Sequence, residues 1–200
     1  MKQREMIKRM TDRELVWNVY ITQLLVLAFA VMIGYFVFPS LQHFFLLWQF
    51  DAYELGVYGG GIACIVVLLN VVLTKVLPED YMDDGGINDR IFRSISIAEI
   101  FGLTLLIAFA EEVLFRGVIQ TQFGLVIASI IFALLHVRYL NKIVLFSLVV
   151  GCSFLLGIAY EKTGNLAVTF FAHFLIDFIM GVWLHLDKED SRGGKDDEEG

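Results

Sequence analysis

The stretch Ala110-Glu111-Glu112-Val113-Leu114-Phe115-Arg116-Gly117 sets three ionisable side chains at the end of an apolar run. The run itself, residues 100–109, contains no charged residue and is typical of a membrane-spanning helix. Ionisable groups inside a bilayer cost free energy, so they are rare and usually functional. We therefore expect the rest of the chain to hold Glu111, Glu112 and Arg116 in a defined arrangement.

The amino-acid composition is that of a membrane protein. Hydrophobic residues make up 58% of the 200 residues and charged residues only 18%, against roughly 45–50% and about 25% in soluble domains. The apolar residues form long blocks between short polar breaks, the pattern of a polytopic membrane protein. The net charge of −7 comes mostly from two acidic stretches, residues 79–89 and 187–199. No basic surface for nucleic acid is expected.

Six apolar blocks predict an all-α fold, a polytopic transmembrane helix bundle. The predicted segments are residues 17–38, 55–77, 95–119, 124–136, 143–160 and 166–186. The fourth is short for a span of about 20 residues, so we expect it to tilt, extend or re-enter the membrane.

Around these segments we distinguish four regions. Residues 1–16 are an N-terminal amphipathic arm on the cytoplasmic membrane surface, with a solvated helical lead-in as an equal alternative. Residues 17–94 hold two accessory membrane helices and an acidic loop, which we expect to be solvated. Residues 95–186 form the core with the polar motifs, and residues 187–200 a disordered acidic tail.

Basic residues predict the orientation in the membrane. Six spans put both termini on one side, together with most lysines and arginines, while Arg116 and Lys162 fall on the other. The positive-inside rule then places both termini in the cytoplasm. The small size and short loops favour an integral protein of a prokaryotic plasma membrane.

The two adjacent glutamates are expected to differ in role. Glu112 and Arg116 are four residues apart, share a helix face and are predicted to form an ion pair inside the membrane. Glu111 is rotated by about 100° and has no obvious partner in its own helix. Burial makes an unpaired carboxylate a stronger proton acceptor, which suits a general base.

Two later stretches add two histidines and an acid. His136 follows Phe132 by four residues at the end of segment four, and His173 and Asp177 share a face of segment six. A lone histidine in an apolar block is usually a core residue, but these occur on separate spans together with the carboxylates. Counting about 1.5 Å per residue leaves His136 several ångströms deeper than Glu111, a mismatch that tilt or re-entry of segment four would close.

The chemistry that fits these groups is activation of water. A glutamate takes a proton from water, the water attacks a peptide carbonyl, and imidazoles position the water and stabilise the oxyanion. In the alternative, a divalent metal such as zinc activates the water, with Glu111, His136 and His173 as ligands. The chain has no His-Glu-x-x-His helix, which excludes the soluble zinc-protease arrangement.

In this order and on membrane helices, the motifs resemble those of the CAAX protease and bacteriocin-processing (CPBP) family of intramembrane proteases. The family pattern is Glu-Glu-x-x-x-Arg, then Phe-x-x-x-His, then His-x-x-x-Asn or Asp. The corresponding residues here are Glu111-Glu112-x-x-x-Arg116, Phe132-x-x-x-His136 and His173-x-x-x-Asp177. The resemblance covers about residues 95–185, so the first two spans lie outside it.

The resemblance implies a role for each matching residue. Glu111 would be the catalytic base, and His136 would orient the water or bind metal. His173 and Asp177 would stabilise the oxyanion. Because an aspartate donates a hydrogen bond only when protonated, the alternatives are that Asp177 orients His173 or holds a metal. The supporting residues would be Glu112, Arg116 and Phe132.

The expected function is that of an intramembrane endopeptidase that cleaves a membrane-associated protein or peptide, with the lipid bilayer and this substrate as its partners. One alternative is a non-catalytic bacteriocin-immunity or membrane scaffolding protein of the same fold, which would not need Glu111. Another is a proton-coupled carrier, since buried Glu and His relay protons. The lack of an internal repeat counts against the carrier.

Overall fold

The computed structural model describes the backbone of residues 9–196 and the side chains in that range other than those of residues 79, 137 and 188–196. All regular secondary structure in this range is helical. The elements are α1 (Asp12–Val37), α2 (Leu41–Phe45), α3 (Ala52–Val76), α4 (Glu79–Met82), α5 (Ile87–Phe92), α6 (Ile97–Leu135), a 3-10 turn (Val137–Tyr139), α7 (Ile143–Thr163) and α8 (Leu166–Asp196).

The predicted all-α membrane bundle is confirmed. Within the described residues, five helices are long and apolar enough to cross a membrane: α1, α3, α6, α7 and the Leu166–Asp187 part of α8. The predicted number of six segments differs because segments three and four are two arms of the single helix α6.

Helix α6 folds back on itself at Gly124. This residue has φ 82° and ψ 170°, a conformation open to glycine because it lacks a Cβ. Phe115 and Phe132 would lie about 25 Å apart along a straight helix, yet their ring centroids are 4.8 Å apart. The two arms are therefore antiparallel. The second arm, residues 125–135, is about 16 Å long, half of a membrane span.

The first arm widens into a π-helix over Val113–Gln120, directly after Glu112. A π-helix has more residues per turn than an α-helix, so side chains four residues apart point in more nearly the same direction. Every residue of this π-helix is buried. It lies in the largest cluster of buried apolar residues described, which contains Ala30, Val113, Leu114, Phe115, Ile119, Ala128, Phe132, Tyr160 and Leu166.

Helix α8 approaches α3 closely at Gly59. A Cβ built on Gly59 would lie 3.0 Å from Cδ1 of Phe171 and 3.2 Å from the carbonyl oxygen of Val168. A larger residue would therefore push the two helices apart. This close approach is the use expected of small residues in membrane helix contacts.

Both ends of the described chain lie at the same face of the bundle as the acidic loop. Arg90 pairs with Asp12 at 2.7 Å, and Arg93 pairs with Asp187 at 3.1 Å. The start of α1 and the polar end of α8 therefore both meet α5. This arrangement agrees with an even number of passages through the bundle, because α6 reverses at Gly124 and its two arms count separately.

The bounds predicted for the N-terminal arm and for the C-terminal tail differ from the helix bounds in the structure. Residues 12–16 form the first turn of α1, which begins with a capping box between Thr11 and Glu14, while residues 1–8 of the arm lie outside the described residues. Helix α8 continues through Asp196, so residues 187–196 of the predicted disordered tail are helical. Charged residues have ordinary helix propensity, so their abundance did not fix the end of the helix. Residues 197–200 are not described.

The acidic loop anchors the loop that follows His136, which corrects the expectation of a purely solvated stretch. Asp84, with a side chain only 8% exposed, pairs with Arg138 at 3.3 Å. Lys142 lies 3.7 Å from Asp83. The acidic charges therefore have a structural partner that is distant in sequence.

Candidate active site

Glu112 and Arg116 form the ion pair that their spacing predicted. Arg116 Nη1 lies 2.8 Å from Glu112 Oε1, and the two side chains are 1% and 0% exposed. Arg116 Nη2 also donates to the carbonyl oxygen of Ser153 at 3.0 Å and to its hydroxyl at 3.2 Å. The guanidinium carbon lies 5.1 Å from the ring centroid of Phe132. The charge of Arg116 is therefore compensated on three sides, as a buried charge requires.

His173 joins this pair from helix α8. Its Nδ1 lies 2.8 Å from the same Oε1 of Glu112, across 61 residues of sequence. An ionised carboxylate only accepts hydrogen bonds, so Glu112 fixes a proton on Nδ1. The other ring nitrogen, Nε2, faces Oδ2 of Asp177 at 3.6 Å, which is longer than a hydrogen bond.

His136 ends the second arm of α6, and its ring is held on several sides. Nδ1 lies 2.8 Å from the carbonyl oxygen of Phe132. A carbonyl only accepts, so the proton sits on Nδ1, and Nε2 of the neutral ring is left as an acceptor. The imidazole packs on the Phe132 ring at 4.5 Å and stacks on the Tyr139 ring at 6.1 Å.

The hairpin at Gly124 explains how two of the motifs reach the same depth. Glu112 lies twelve residues before Gly124 and His136 twelve residues after it, so antiparallel arms bring them level. Arg116 and Phe132, which are in contact, likewise lie at equal distances from the turn, eight residues before and eight residues after Gly124. The sequence analysis expected His136 to lie several ångströms deeper than Glu111. That mismatch in depth arose because segment three was ended at residue 119 instead of at the turn at Gly124.

Glu111, which precedes the ion pair by one residue in the sequence, meets helix α1. Gln23 Nε2 donates to Glu111 Oε1 at 2.8 Å. Gln23 is only 8% exposed, whereas Glu111 is partly buried. The sequence analysis did not identify Gln23. The available signal was an amide in the apolar block of residues 17–38, seven residues from Ala30 on the buried face of α1.

Direct contacts join three of the predicted catalytic residues: His173 lies 3.6 Å from Asp177, and the Phe132 ring packs near both His136 and His173. Glu111 and His136 lie close enough to Asp177 for their charges to act on its carboxylate. Of the supporting residues, Glu112 binds His173 and Phe132 packs on His136, while Arg116 is joined to them through Glu112 and Phe132. The structure thus brings together the side chains singled out in the sequence, and their catalytic roles stay predictions.

In the described part of the chain, the predicted metal ligands Glu111, His136 and His173 are not grouped as a metal site. Within the described part of the chain, no three His, Cys, Asp or Glu side chains are grouped so as to hold an ion. His173 Nδ1 is bound to Glu112, which leaves Nε2 as the only ligand atom of this ring, and Nε2 faces Asp177 at 3.6 Å. We therefore assign no step of the reaction to a metal.

A separate apolar cavity of about 740 Å³ lies between α1, α2 and the π-helix. Its lining includes Leu27, Ala30, Phe44 and Val113. No Asp, Glu or His of the described residues lines it. The cavity is therefore distinct from the carboxylate and histidine cluster.

Residues 93–179 match the family described as Type II CAAX prenyl endopeptidase Rce1-like. This range contains all three motifs. The chain is also similar to the uncharacterized protein YpbD of Bacillus subtilis (strain 168), with 48% identity over 166 residues, 83% of this chain and 88% of the relative. The chain belongs to the Rce1-like family. No solved structure matches it.

Membership in the Rce1-like family confirms the resemblance drawn from the motifs and indicates a CAAX-type protease in the membrane. The Rce1-like match begins near the end of α5 and ends within α8. Helices α1 and α3 lie outside it. Gln23 therefore reaches the cluster from a part of the chain that the family match does not cover.

Proposed function

We propose that this protein is an intramembrane endopeptidase that hydrolyses a peptide bond in a membrane-associated protein or peptide with water activated by Glu111. The observation that carries the proposal is the buried hydrogen bond of 2.8 Å between Glu112 and His173. It joins the motifs of α6 and α8 beside the partly buried Glu111. Because ionised groups are costly in a bilayer, such a cluster points to chemistry.

In the proposed reaction, Glu111 takes a proton from water, and the hydroxide attacks the carbonyl carbon of the scissile bond. The tetrahedral intermediate collapses, and its C–N bond breaks. Glu111 returns the proton to the leaving nitrogen. The products are a new carboxyl terminus and a new amine, and water is the only co-reactant.

His136 is suited to orient this water. Its Nδ1 proton is held by the Phe132 carbonyl, so Nε2 of the neutral ring can accept a hydrogen bond from water. The Phe132 and Tyr139 rings fix the plane of the imidazole. A fixed acceptor is what positioning of a nucleophile requires.

His173 is suited to stabilise the oxyanion. When protonated, it donates from Nε2, while Nδ1 stays on Glu112. Asp177 faces the same Nε2 at 3.6 Å, which supports a role in orienting the His173 ring. A protonated Asp177 that donates to the oxyanion itself is the alternative.

The orientation with both termini in the cytoplasm is part of the proposal. Arg90, Arg93, Arg138 and Lys142 all contact the face of the bundle at which the described chain begins and ends. Arg116 is buried in the bundle and does not count as a loop charge. The positive-inside rule then favours the cytoplasm for that face. The Bacillus subtilis relative supports a prokaryotic plasma membrane as its location.

The test is cleavage by the purified protein in lipid nanodiscs. Two internally quenched peptides serve as probes, one ending in a farnesylated Cys-aliphatic-aliphatic-X sequence and one with the same sequence without the lipid. We expect Glu111→Gln, His136→Ala and His173→Ala each to lose at least about 100-fold in kcat/KM. Glu161→Gln, an exposed glutamate of α7, is the matched control and should be unchanged.

Two results would overturn the proposal. A wild-type protein that cleaves neither peptide, or a Glu111→Gln variant with full activity, would favour the non-catalytic immunity or scaffolding alternative. Activity should survive a chelator. Loss of activity with the chelator and recovery with added zinc would replace the metal-free mechanism by the metal-assisted one.

A further inference from the structure

We infer that Gln23 is a positioning residue for Glu111, supplied by helix α1 from outside the family-matched range. This inference rests on the proposed role of Glu111 as the general base. It extends the site to a helix that none of the three motifs touches. Within the described residues, the hydrogen bond of 2.8 Å from Gln23 Nε2 to Glu111 Oε1 is the contact that carries it.

Gln23 faces the interior of the bundle by its place on α1. The buried residues of this helix include Val16, Gln23 and Ala30, each seven residues from the next and thus on one face. Leu24 and Leu25 beside it are more than half exposed and face the surroundings of the bundle. An amide on the buried face is costly unless its polar atoms find partners.

Of the two polar atoms in the Gln23 amide, one forms a hydrogen bond and the other does not. Nε2 donates to Glu111, whereas Oε1 is buried and has no hydrogen-bond partner among the described residues. A buried acceptor beside the general base is a place for a donor group. The reaction supplies such a donor, since the attacking water has two O–H bonds: Glu111 accepts one, and the other lies between Oε1 of Gln23 and Nε2 of His136, which share it.

These contacts give Gln23 two effects on the reaction. The Nε2 bond fixes the rotamer of the Glu111 carboxylate, which leaves Oε2 to accept the proton of the water. Oε1 of Gln23 accepts from the second O–H together with Nε2 of His136, and the two acceptors hold the water for attack. Glutamine suits this position because it carries a donor and an acceptor at the same end of its side chain.

The simpler explanation is that Gln23 forms an ordinary hydrogen bond between helices. Such bonds contribute modestly to the stability of membrane bundles. Removing one would lower stability and leave kcat unchanged in the folded fraction. A positioning role predicts that kcat falls in the folded fraction, because a misplaced base or water slows the chemical step by up to about 100-fold.

The experiment compares Gln23→Met with Gln120→Met in nanodiscs, with the farnesylated quenched peptide as the probe. Gln120 is a matched control because it is 5% exposed and donates from Nε2 to the Gly157 carbonyl at 2.8 Å. It lies nine residues beyond Glu111, about 13 Å along the helix. We expect Gln23→Met to lower kcat by about 10- to 100-fold with KM within about twofold, and Gln120→Met to keep kcat.

Two further variants keep the result decisive. If Gln23→Met does not fold, Gln23→Asn retains an amide that is one methylene too short to reach Glu111 and should lose kcat to the same extent. Glu111→Gln separates the two hypotheses. Full kcat in Gln23→Met and Gln23→Asn with an inactive Glu111→Gln would overturn only the role of Gln23, whereas full kcat in Glu111→Gln would overturn the proposed function.

Discussion

Replacing Arg116 with methionine is expected to destabilise the bundle by about 3–5 kcal/mol, because it removes one partner of a fully buried ion pair. The Nη1 to Oε1 distance is 2.8 Å, and neither side chain reaches solvent. Methionine is apolar, unbranched and adaptable, so little of the loss comes from an empty cavity. The main cost is the buried carboxylate of Glu112, which loses its arginine and keeps the hydrogen bond with His173.

A double-mutant cycle isolates this charge effect. Glu112→Gln combined with Arg116→Met leaves no uncompensated carboxylate, so the double variant should be more stable than the sum of the single losses predicts, by about 0.5–3 kcal/mol. Gln120→Met is the matched control. It loses one buried hydrogen bond, to Gly157 at 2.8 Å, and should cost about 1 kcal/mol.

The assay is reversible unfolding in mixed micelles, titrated with sodium dodecyl sulfate and followed by tryptophan fluorescence. Trp48 is a useful reporter because it stacks on Phe109 at 5.6 Å, close to the carboxylate motif. The reasoning is refuted if Arg116→Met costs no more than Gln120→Met. It is also refuted if the cycle is additive within about 0.5 kcal/mol.

Three other substitutions, with Gly102→Ala as a control, test the hairpin, the loop anchor and the close helix contact. Gly124→Ala should cost about 1–3 kcal/mol in the same assay, because alanine rarely adopts a φ of 82°. Gly102→Ala, in a helix with open space around it, should be neutral or stabilising, and equal costs would contradict the hairpin. Asp84→Asn removes the charge that anchors the loop after His136, so kcat for the farnesylated peptide should fall with little change in the melting temperature. Unchanged kcat would show that the anchor of that loop does not affect the position of His136. Gly59→Ala places a Cβ 3.0 Å from the facing helix and should cost about 1–3 kcal/mol, and a neutral effect would show that the helices move apart freely.

Local rules were enough to single out most residues of the candidate site. Glu111, Glu112, His136 and His173 are conspicuous because each is an ionisable group inside an apolar block, where such groups are rare. The spacing of Glu112 and Arg116 predicted their ion pair, since residues four apart share a helix face. The same rules could not predict that His173 binds the oxygen of Glu112 that Arg116 also binds.

The part played by α1 was not predictable from local rules. A glutamine in an apolar helix has no preferred partner until the helices pack, so nothing in residues 17–38 pointed to Glu111. The acidic loop is a similar case. Its charges suggested a solvated stretch, yet Asp84 is mostly buried against Arg138. In both examples the partner lies more than fifty residues away in the chain.

The sequence by itself determined that this is a helical membrane protein, which side chains are chemically exceptional, and to which family of proteases it is similar. These properties depend on composition and on spacings within one helix. Only the tertiary structure decided that the chain reverses at Gly124, that Glu112 is shared by Arg116 and His173, and that Gln23 holds Glu111. Such contacts form between distant segments, and their geometry is set by how whole helices pack rather than by any local pattern.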